Sequence, residues 1–305
     1  MNQISLMTMN MTGRLFFMYR IQKEIDTLQD GYDEIMEMAE AAGYPAVDVT
    51  AWETGLLGTD FVMETLKKHH LRVSSYICFG AFAAMDEAGF AGRVEDAKKA
   101  ADEAERLGTD VIMLVTQASD DIDRYTKDEI RAQQVRHWRE IVPYIKGKGM
   151  HAVIEDFPDL RLGLCRAEDV RSVLDQVPAL ELVYDSGNMI LEKEDPVRFL
   201  DLFEGRIGYV HLKDMRKAPA DHPAADHDCD GMPMCTAPTG TGMICLPDVI
   251  EKLVKMGYKG SMTVEFAVND DGKYPESLAR SRSYVEEILK DVYSGAGFSE
   301  GKEAL

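Results

Sequence analysis

Apolar and polar positions along this chain follow two alternating periods. Short runs that are apolar or β-branched throughout give way to longer stretches in which apolar residues recur every three or four positions, and the phrase repeats eight times. Residues 4–9 read as a first strand, and Tyr32, Ile35, Met38, Ala39 and Ala42 mark one face of a helix that Gly43 stops. Residues 46–52 form a second strand, with a helix over 61–70 behind the capping types Thr59 and Asp60. After a third strand at 72–79 comes the clearest helix, with Val94, Ala97, Ala101, Ala104 and Leu107 on one side and Gly108 just past its end. Strands are then expected at 111–115, 151–155, 180–184, 207–212 and 261–266, interleaved with helices at 127–146, 167–174, 196–203 and 246–256 and followed by one at 277–289.

Strands separated by single helices cannot be joined by tight hairpins, so they run parallel, with right-handed crossovers that lay helices over the sheet. Eight such units predict an α/β fold closed into a (β/α)8 TIM barrel. The open doubly wound sheet competes, but no G-x-G-x-x-G follows the first strand. One barrel domain is expected over residues 1–305. The stretch 216–242, rich in Pro, Asp, Gly and Ala, is expected as a long irregular loop over the active face.

In a parallel barrel the chemistry sits at the C-terminal ends of the strands. Four successive strands end there in Glu155, Asp185, His211 and Glu265. Side chains alternate with period two, so Val153 and His151 share the side of Glu155, Tyr209 and Lys213 that of His211, Val183 that of Asp185, and Thr263 that of Glu265. This predicts an interior that turns polar only at its mouth. Three carboxylates converging in a partly dry cleft repel one another, and a divalent cation resolves the conflict. Oxygen donors with one imidazole suit Mn²⁺ first, with Mg²⁺ or Co²⁺ as alternatives, better than a sulfur-rich structural zinc site. Taken singly, each residue has a structural reading: a turn for Asp185, ion pairs for the glutamates, a satisfied core histidine for His211.

Composition narrows the partners. The 305 residues carry 34 basic and 54 acidic side chains, a formal charge of -20 that repels nucleic acid. No stretch approaches the roughly 20 apolar residues that span a bilayer, and Cys78, Cys165, Cys229, Cys235 and Cys245 are scattered and odd in number. A cytoplasmic location, off the membrane, is therefore expected. Within 216–242, His222, His227, Cys229 and Cys235 match no compact zinc spacing, and Met232 and Met234 suit an adaptable lid. Trp52, Glu53, Tyr76, Cys78 and Phe79 are candidates for pocket walls or for core.

The runs Val153-Ile154-Glu155, Tyr184-Asp185-Ser186-Gly187-Asn188, Val210-His211-Leu212-Lys213-Asp214 and Thr263-Val264-Glu265-Phe266 resemble the sugar phosphate isomerase/epimerase superfamily, the xylose-isomerase-like barrels. The phrase Gly240-Thr241-Gly242-Met243-Ile244 and the run from Leu253 to Gly260 are similar to it as well. The resemblance to ketose 3-epimerases implies one divalent ion on Glu155, Asp185, His211 and Glu265, with Glu155 and Glu265 doubling as the catalytic acid and base. It implies a metal-dependent sugar isomerase or epimerase that moves a proton next to a carbonyl. Two positions depart from that pattern: Asn188 stands where a histidine is expected three residues after Asp185, and Lys217, preceded by Arg216, where an arginine is expected six after His211. Those departures leave room for a lyase or dehydratase, as in inosose dehydratases and the large subunit of C-glycoside deglycosidases. An elimination needs an acid for its leaving group, so His151 and Lys213 join Asn188, Arg216 and Lys217 as candidate substrate contacts. The metal-dependent AP endonuclease-like relatives fit less well, since they use three zinc ions and a basic groove. The expected partner is a small sugar or glycoside, with a homo-oligomer or a small second subunit as further expectations.

Overall fold

Each repeated phrase becomes a strand and at least one helix. The computed structural model describes all residues except 23, 81, 220, 221, 223–225, 266–273 and 296–305. In chain order the first half holds β1 (Ile4–Met7), α1 (Met9–Gln22), α2 (Ile25–Ala41), β2 (Ala46–Thr50), α3 (Ala51–Leu57), α4 (Thr59–Lys68), β3 (Arg72–Gly80), α5 (Glu87–Leu107), β4 (Val111–Thr116) and α6 (Lys127–Gly147). The second half holds β5 (His151–Glu155), α7 (Ala167–Gln176), β6 (Glu181–Asp185), α8 (Pro196–Phe199), β7 (Ile207–Leu212), β8 (Asp214–Lys217), β9 (Asp226–His227), β10 (Pro233–Ala237), α9 (Leu246–Lys255), β11 (Met262–Glu265) and α10 (Tyr274–Ser294). The eight parallel strands close in the order β1-β11-β7-β6-β5-β4-β3-β2, the (β/α)8 barrel that the periodicity predicts.

The caps explain where elements start and stop. Asp86 accepts from the Gly89 amide at the start of α5, and Gly108, at φ 79°, ends it in the left-handed conformation a side chain would resist. Thr126 and Glu129 form a reciprocal capping box on α6. Two strands end sooner than expected for the same reason. The Thr8 carbonyl accepts from the Met11 and Thr12 amides, and Thr50 with Glu53 makes a capping box, so Met9, Ala51 and Trp52 enter the additional helices α1 and α3. Phe266, expected at the end of the last barrel strand, lies outside the described residues.

The apolar stripes of the helices cover the barrel's outer face: Ala97, Ala101 and Ala104 of α5 and Val249, Ile250 and Leu253 of α9 belong to this large buried cluster. Inside the barrel a second cluster collects Met7, Ile77, Val111, Met113, Val115, Val153, Val183 and Tyr209. That places the predicted inward residues Val153, Val183 and Tyr209 in the lumen. The interior is not apolar throughout below its mouth, however. Ser5, Asp48 and Thr263 are at most 1% exposed and bond to one another's neighbours on the β1, β2, β7 and β11 side.

The described residues of 216–242 do not form an irregular loop. They contribute to a three-stranded antiparallel sheet in the order β8-β10-β9. The Asp214 carboxylate pins its base, accepting from the amides of Met215, Gly240, Gly242 and Ile244. Asp228 closes its tip by accepting from the amides of Asp230 and Met232, with Gly231 at φ 79° between them. Among the described residues no helix is long and apolar enough to cross a membrane.

Candidate metal centre

Glu155, Asp185 and Glu265 close β5, β6 and β11, and His211 is the penultimate residue of β7; the four strands are consecutive in the barrel. Their levels are staggered, as barrel shear requires. Asp185 pairs in register with His211, whereas Glu155 pairs with Val183 and His211 with Thr263, two residues short of Glu265. One donor atom from each of the four lies within 4.8 Å of every other. All four are buried, with exposures of 7%, 0%, 0% and 6% in chain order.

His211 Nδ1 sits 2.9 Å from Glu155 Oε1 and 4.0 Å from Glu265 Oε2, so this nitrogen faces the cluster. Asp185 Oδ1 accepts from the amides of Gly187 and Asn188 at 2.8 and 2.9 Å. Its Oδ2 is buried without a donor. The Asp185 amide itself donates to Asp156 Oδ1, a second buried carboxylate just behind the first.

Lys213 lies beyond the end of β7, yet it is 7% exposed. Its ammonium reaches Glu265 Oε1 at 2.8 Å and donates to Asn188 Oδ1 at 3.0 Å. Two features hold it there. The Ser186 hydroxyl donates to the Lys213 carbonyl and accepts from the Lys213 amide. Gly187 leaves room for the lysine stem, since a Cβ at 187 would come within 3.0 Å of Lys213 Cγ and 2.8 Å of Met215 Cγ.

The electrostatics follow from crowding without water. Burial, with Glu265 and Glu155 nearby, pushes the Asp185 carboxyl well above the usual range despite Lys213. Burial also opposes charge on His211, but Asp48 and Glu155 outweigh it and hold the imidazole well above its ordinary value. Burial would raise Glu265 too, yet Lys213 and His211 bring it below its ordinary value. Two cationic side chains therefore face Glu155, Asp185, Glu265 and Asp48, and anionic charge remains. The residues fit a divalent cation: a compact set of three carboxylates and one imidazole, with an orphaned buried oxygen on Asp185.

Not all the candidate contacts gather here. Asn188 and Lys213 join the four donors. Arg216 and Lys217 lie on β8 with exposed side chains, and Lys217 lines a separate cavity of about 650 Å³ between the antiparallel sheet and α8 and α9. His151 is the first residue of β5, roughly 13 Å below Glu155 at the strand rise of about 3.3 Å per residue. There it is 46% exposed and pairs with Glu181 at 2.7 Å, beside a cavity at the N-terminal end of the barrel. Inward parity was right for it, but depth removes it from the site.

Asp48 escaped the sequence reading. It is 1% exposed on β2, and its Oδ2 lies 3.2 Å from His211 Nε2. The available signal was a lone carboxylate inside the apolar, β-branched run 46–52. Glu53, in contrast, is a capping residue, and Trp52 stacks on Phe79 at 4.2 Å between ring centroids.

Residues 36–284 match the Xylose isomerase-like TIM barrel family. The chain belongs to that family. Within the family it is similar to an inosose dehydratase of Lacticaseibacillus casei, at 34% identity over 115 residues, 36% of this chain and 38% of the dehydratase. The chain thus spans well under half the length of that relative. Among solved structures it is similar to the D-allulose 3-epimerase from Methylomonas sp., with a TM-score of 0.68, 18% identity, and coverage of 94% of this chain and 98% of the other. A xylose isomerase-like TIM barrel protein from Mycobacterium smegmatis, solved in complex with magnesium, aligns with a TM-score of 0.65 and 15% identity over 87% of this chain and 90% of the other.

Proposed function

We propose that this family member is a divalent-metal-dependent sugar isomerase or epimerase that moves a proton next to a carbonyl. The observation that carries the reading is the buried set Glu155, Asp185, His211 and Glu265, whose donor atoms lie within 4.8 Å of one another. A divalent ion held there would supply a Lewis acid for a carbonyl and its neighbouring hydroxyl, with Mn²⁺ as the first choice and Mg²⁺ or Co²⁺ as alternatives. Glu155 and Glu265 occupy the two outer strands of the four, so each offers a carboxylate to its own side of a molecule seated over the cluster. One removes the α-proton and the other returns one. Lys213 holds Glu265 and Asn188 in place and presents an ammonium toward substrate oxygens. The substrate is a small sugar or glycoside derivative, and the solved structures of similar fold include a D-allulose 3-epimerase.

A second reading, a lyase or dehydratase on an oxidised sugar, is favoured by two observations. Lys213 is a buried acid within reach of the site, and the chain is similar in sequence to an inosose dehydratase. Screening ketoses, inososes and 3-oxo-glycosides with Mn²⁺ in deuterated water separates the readings. Solvent deuterium in a product that keeps all its carbon and oxygen supports isomerisation; release of water or an aglycone replaces it with elimination. Absence of turnover on all three classes, with Mn²⁺ bound, sinks both.

A further inference from the structure

Below the four donors, a chain of buried hydrogen bonds crosses the barrel lumen. Asp48 Oδ2 faces His211 Nε2 at 3.2 Å, while Asp48 Oδ1 accepts from the Tyr209 hydroxyl at 2.6 Å and from Ser74 at 2.7 Å. Tyr209 accepts in turn from Thr263 at 2.7 Å, and Thr263 shares a 2.6 Å hydrogen bond with Ser5. Asp48 belongs to β2 and its partners His211 and Tyr209 to β7, with β1 and β11 between them, so these bonds span the lumen rather than follow a ladder. Ser5, Asp48, Tyr209, His211 and Thr263 are each at most 2% exposed. A polar path this deep costs desolvation unless every member is satisfied.

The donor directions along the path lead to one arrangement at His211. A carboxylate only accepts, and Tyr209, which already accepts from Thr263, spends its single proton on Asp48 Oδ1. Ser74 donates to the same oxygen, which leaves Oδ2 to accept from Nε2–H of the imidazole. A divalent ion would take the place of the second ring proton, on Nδ1, and the neutral imidazole left with Nε2–H has its lone pair on Nδ1. Nδ1 is the nitrogen that faces Glu155 and Glu265.

We propose that Asp48 is a positioning residue for the metal: it holds His211 by Nε2–H and so reserves Nδ1 as a donor to the divalent ion, with Tyr209 and Ser74 bracing the carboxylate. The proposal rests on the metal reading above. Carboxylates that orient ligating histidines contribute typically 10- to 100-fold to metal affinity. Here the brace comes from β2, three strands away around the barrel, so the tautomer is set from across the lumen.

Asparagine at 48 tests the logic because it keeps the shape and removes one acceptor. With Tyr209 and Ser74 donating toward one side, the amide oxygen must turn to them and its NH₂ to His211 Nε2. Nε2 then has to accept, and the imidazole proton moves to Nδ1, where it opposes the metal. Mn²⁺ dissociation constants, measured by chelator competition, are expected to rise 10- to 100-fold in Asp48→Asn. Adding Tyr209→Phe removes the opposing donor and lets the amide flip, since the Ser74 hydroxyl can also accept. The double variant is therefore expected to bind Mn²⁺ more tightly than Asp48→Asn alone. A role confined to packing requires the reverse, a double variant weaker than the single, and that result overturns the proposal.

A measurement on the unaltered chain decides the case even if Asp48→Asn does not fold. In the Mg²⁺-loaded protein, ¹⁵N NMR of the His211 ring is expected to show a protonated Nε2 and an unprotonated Nδ1; a proton on Nδ1 overturns the proposal. The two readings fail differently. Unaltered protein that binds no Mn²⁺ removes the metal reading and this proposal together, whereas normal Mn²⁺ binding with unchanged affinity in a folded Asp48→Asn removes only the role of Asp48.

Discussion

Among the described residues the barrel strands carry two imidazole–glutamate pairs of nearly equal length, one at each end. His211 and Glu155 meet at 2.9 Å with exposures of 0% and 8%, while His151 and Glu181 meet at 2.7 Å with 46% and 23%. Both histidines point inward by strand parity, and both glutamates come from a neighbouring part of the sheet. What differs is the surroundings. Around His211 three further carboxylates, those of Asp48, Asp185 and Glu265, are shut away from water, and Lys213 with the imidazole cannot balance them. Around Glu181, water and Lys146 complete the charge at the surface. Burial and crowding, rather than the residue pair, make one end a candidate metal centre.

The largest break in the comparison is expected at Glu265. On the proposed function Glu265→Gln removes both a ligand charge and a proton acceptor, so turnover of a substrate found by the screen should fall by about 10²–10⁴-fold, the range for losing a positioned acid or base. Steady-state kinetics with metal content measured on the same samples checks this. Activity within a few fold of the unaltered chain would exclude Glu265 from the chemistry.

Glu53 sharpens the comparison, because among the described residues it is buried without a cation. Its partners are Thr50, Thr8 and Thr12, and burial pushes its carboxyl up to about 7 from an ordinary 4.5. The folded state therefore holds this proton more tightly than the unfolded state does. Stability from this group is complete below pH 4.5, declines as the unfolded chain ionises first, and stops declining above about pH 7. The loss across that window is up to about 3 kcal/mol. Urea unfolding at pH 5 and pH 7.5 should show it, and Glu53→Gln should flatten the difference; an equally steep decline in the variant assigns it to another group.

Metal removal comes next in size. Mn²⁺ at about 100 times its dissociation constant stabilises the folded chain by about 2.7 kcal/mol through mass action. Unfolding midpoints with Mn²⁺ and with excess chelator should differ accordingly, and Asp185→Asn should reduce the difference sharply. A chelator effect of the same size in that variant would place the ion elsewhere.

The barrel's eight strands and the four candidate donors were legible in the sequence because both rest on local regularities. Periodicity marks each strand, and Glu155, Asp185, His211 and Glu265 each break an apolar run at its C-terminal end. Asp48 was not legible, since its partners Tyr209 and His211 lie 161 and 163 positions away and meet it only when the barrel closes. His151 shares the inward side of Glu155 and stands lower on the strand, as its position predicts, but it is 46% exposed at the other mouth of the barrel rather than at the four donors. Parity reports which way a side chain points, not how far down the strand it stands or whether that opening admits water. The sheet within 216–242 was hidden by its composition, because its order depends on Asp214 collecting four backbone amides from both ends of the segment.

The smallest effect is expected at the solvent-facing pair, where the comparison is easiest to lose. Burial pushes Glu181 up, but hydrogen bonds from Lys146 and His151 outweigh it and hold the carboxyl below its ordinary 4.5. A depressed carboxyl stabilises the fold above the unfolded value and loses that contribution as pH falls through the folded one. With the pair partly in water, screening limits the gain to about 0–1 kcal/mol. Glu181→Gln should therefore cost at most that much at pH 7, with the gap closing below pH 4.5, while turnover and Mn²⁺ affinity stay within twofold. His151→Ala should behave alike. If His151→Ala instead lowers turnover tenfold without changing stability, the N-terminal end takes part in the chemistry and burial no longer separates the two pairs.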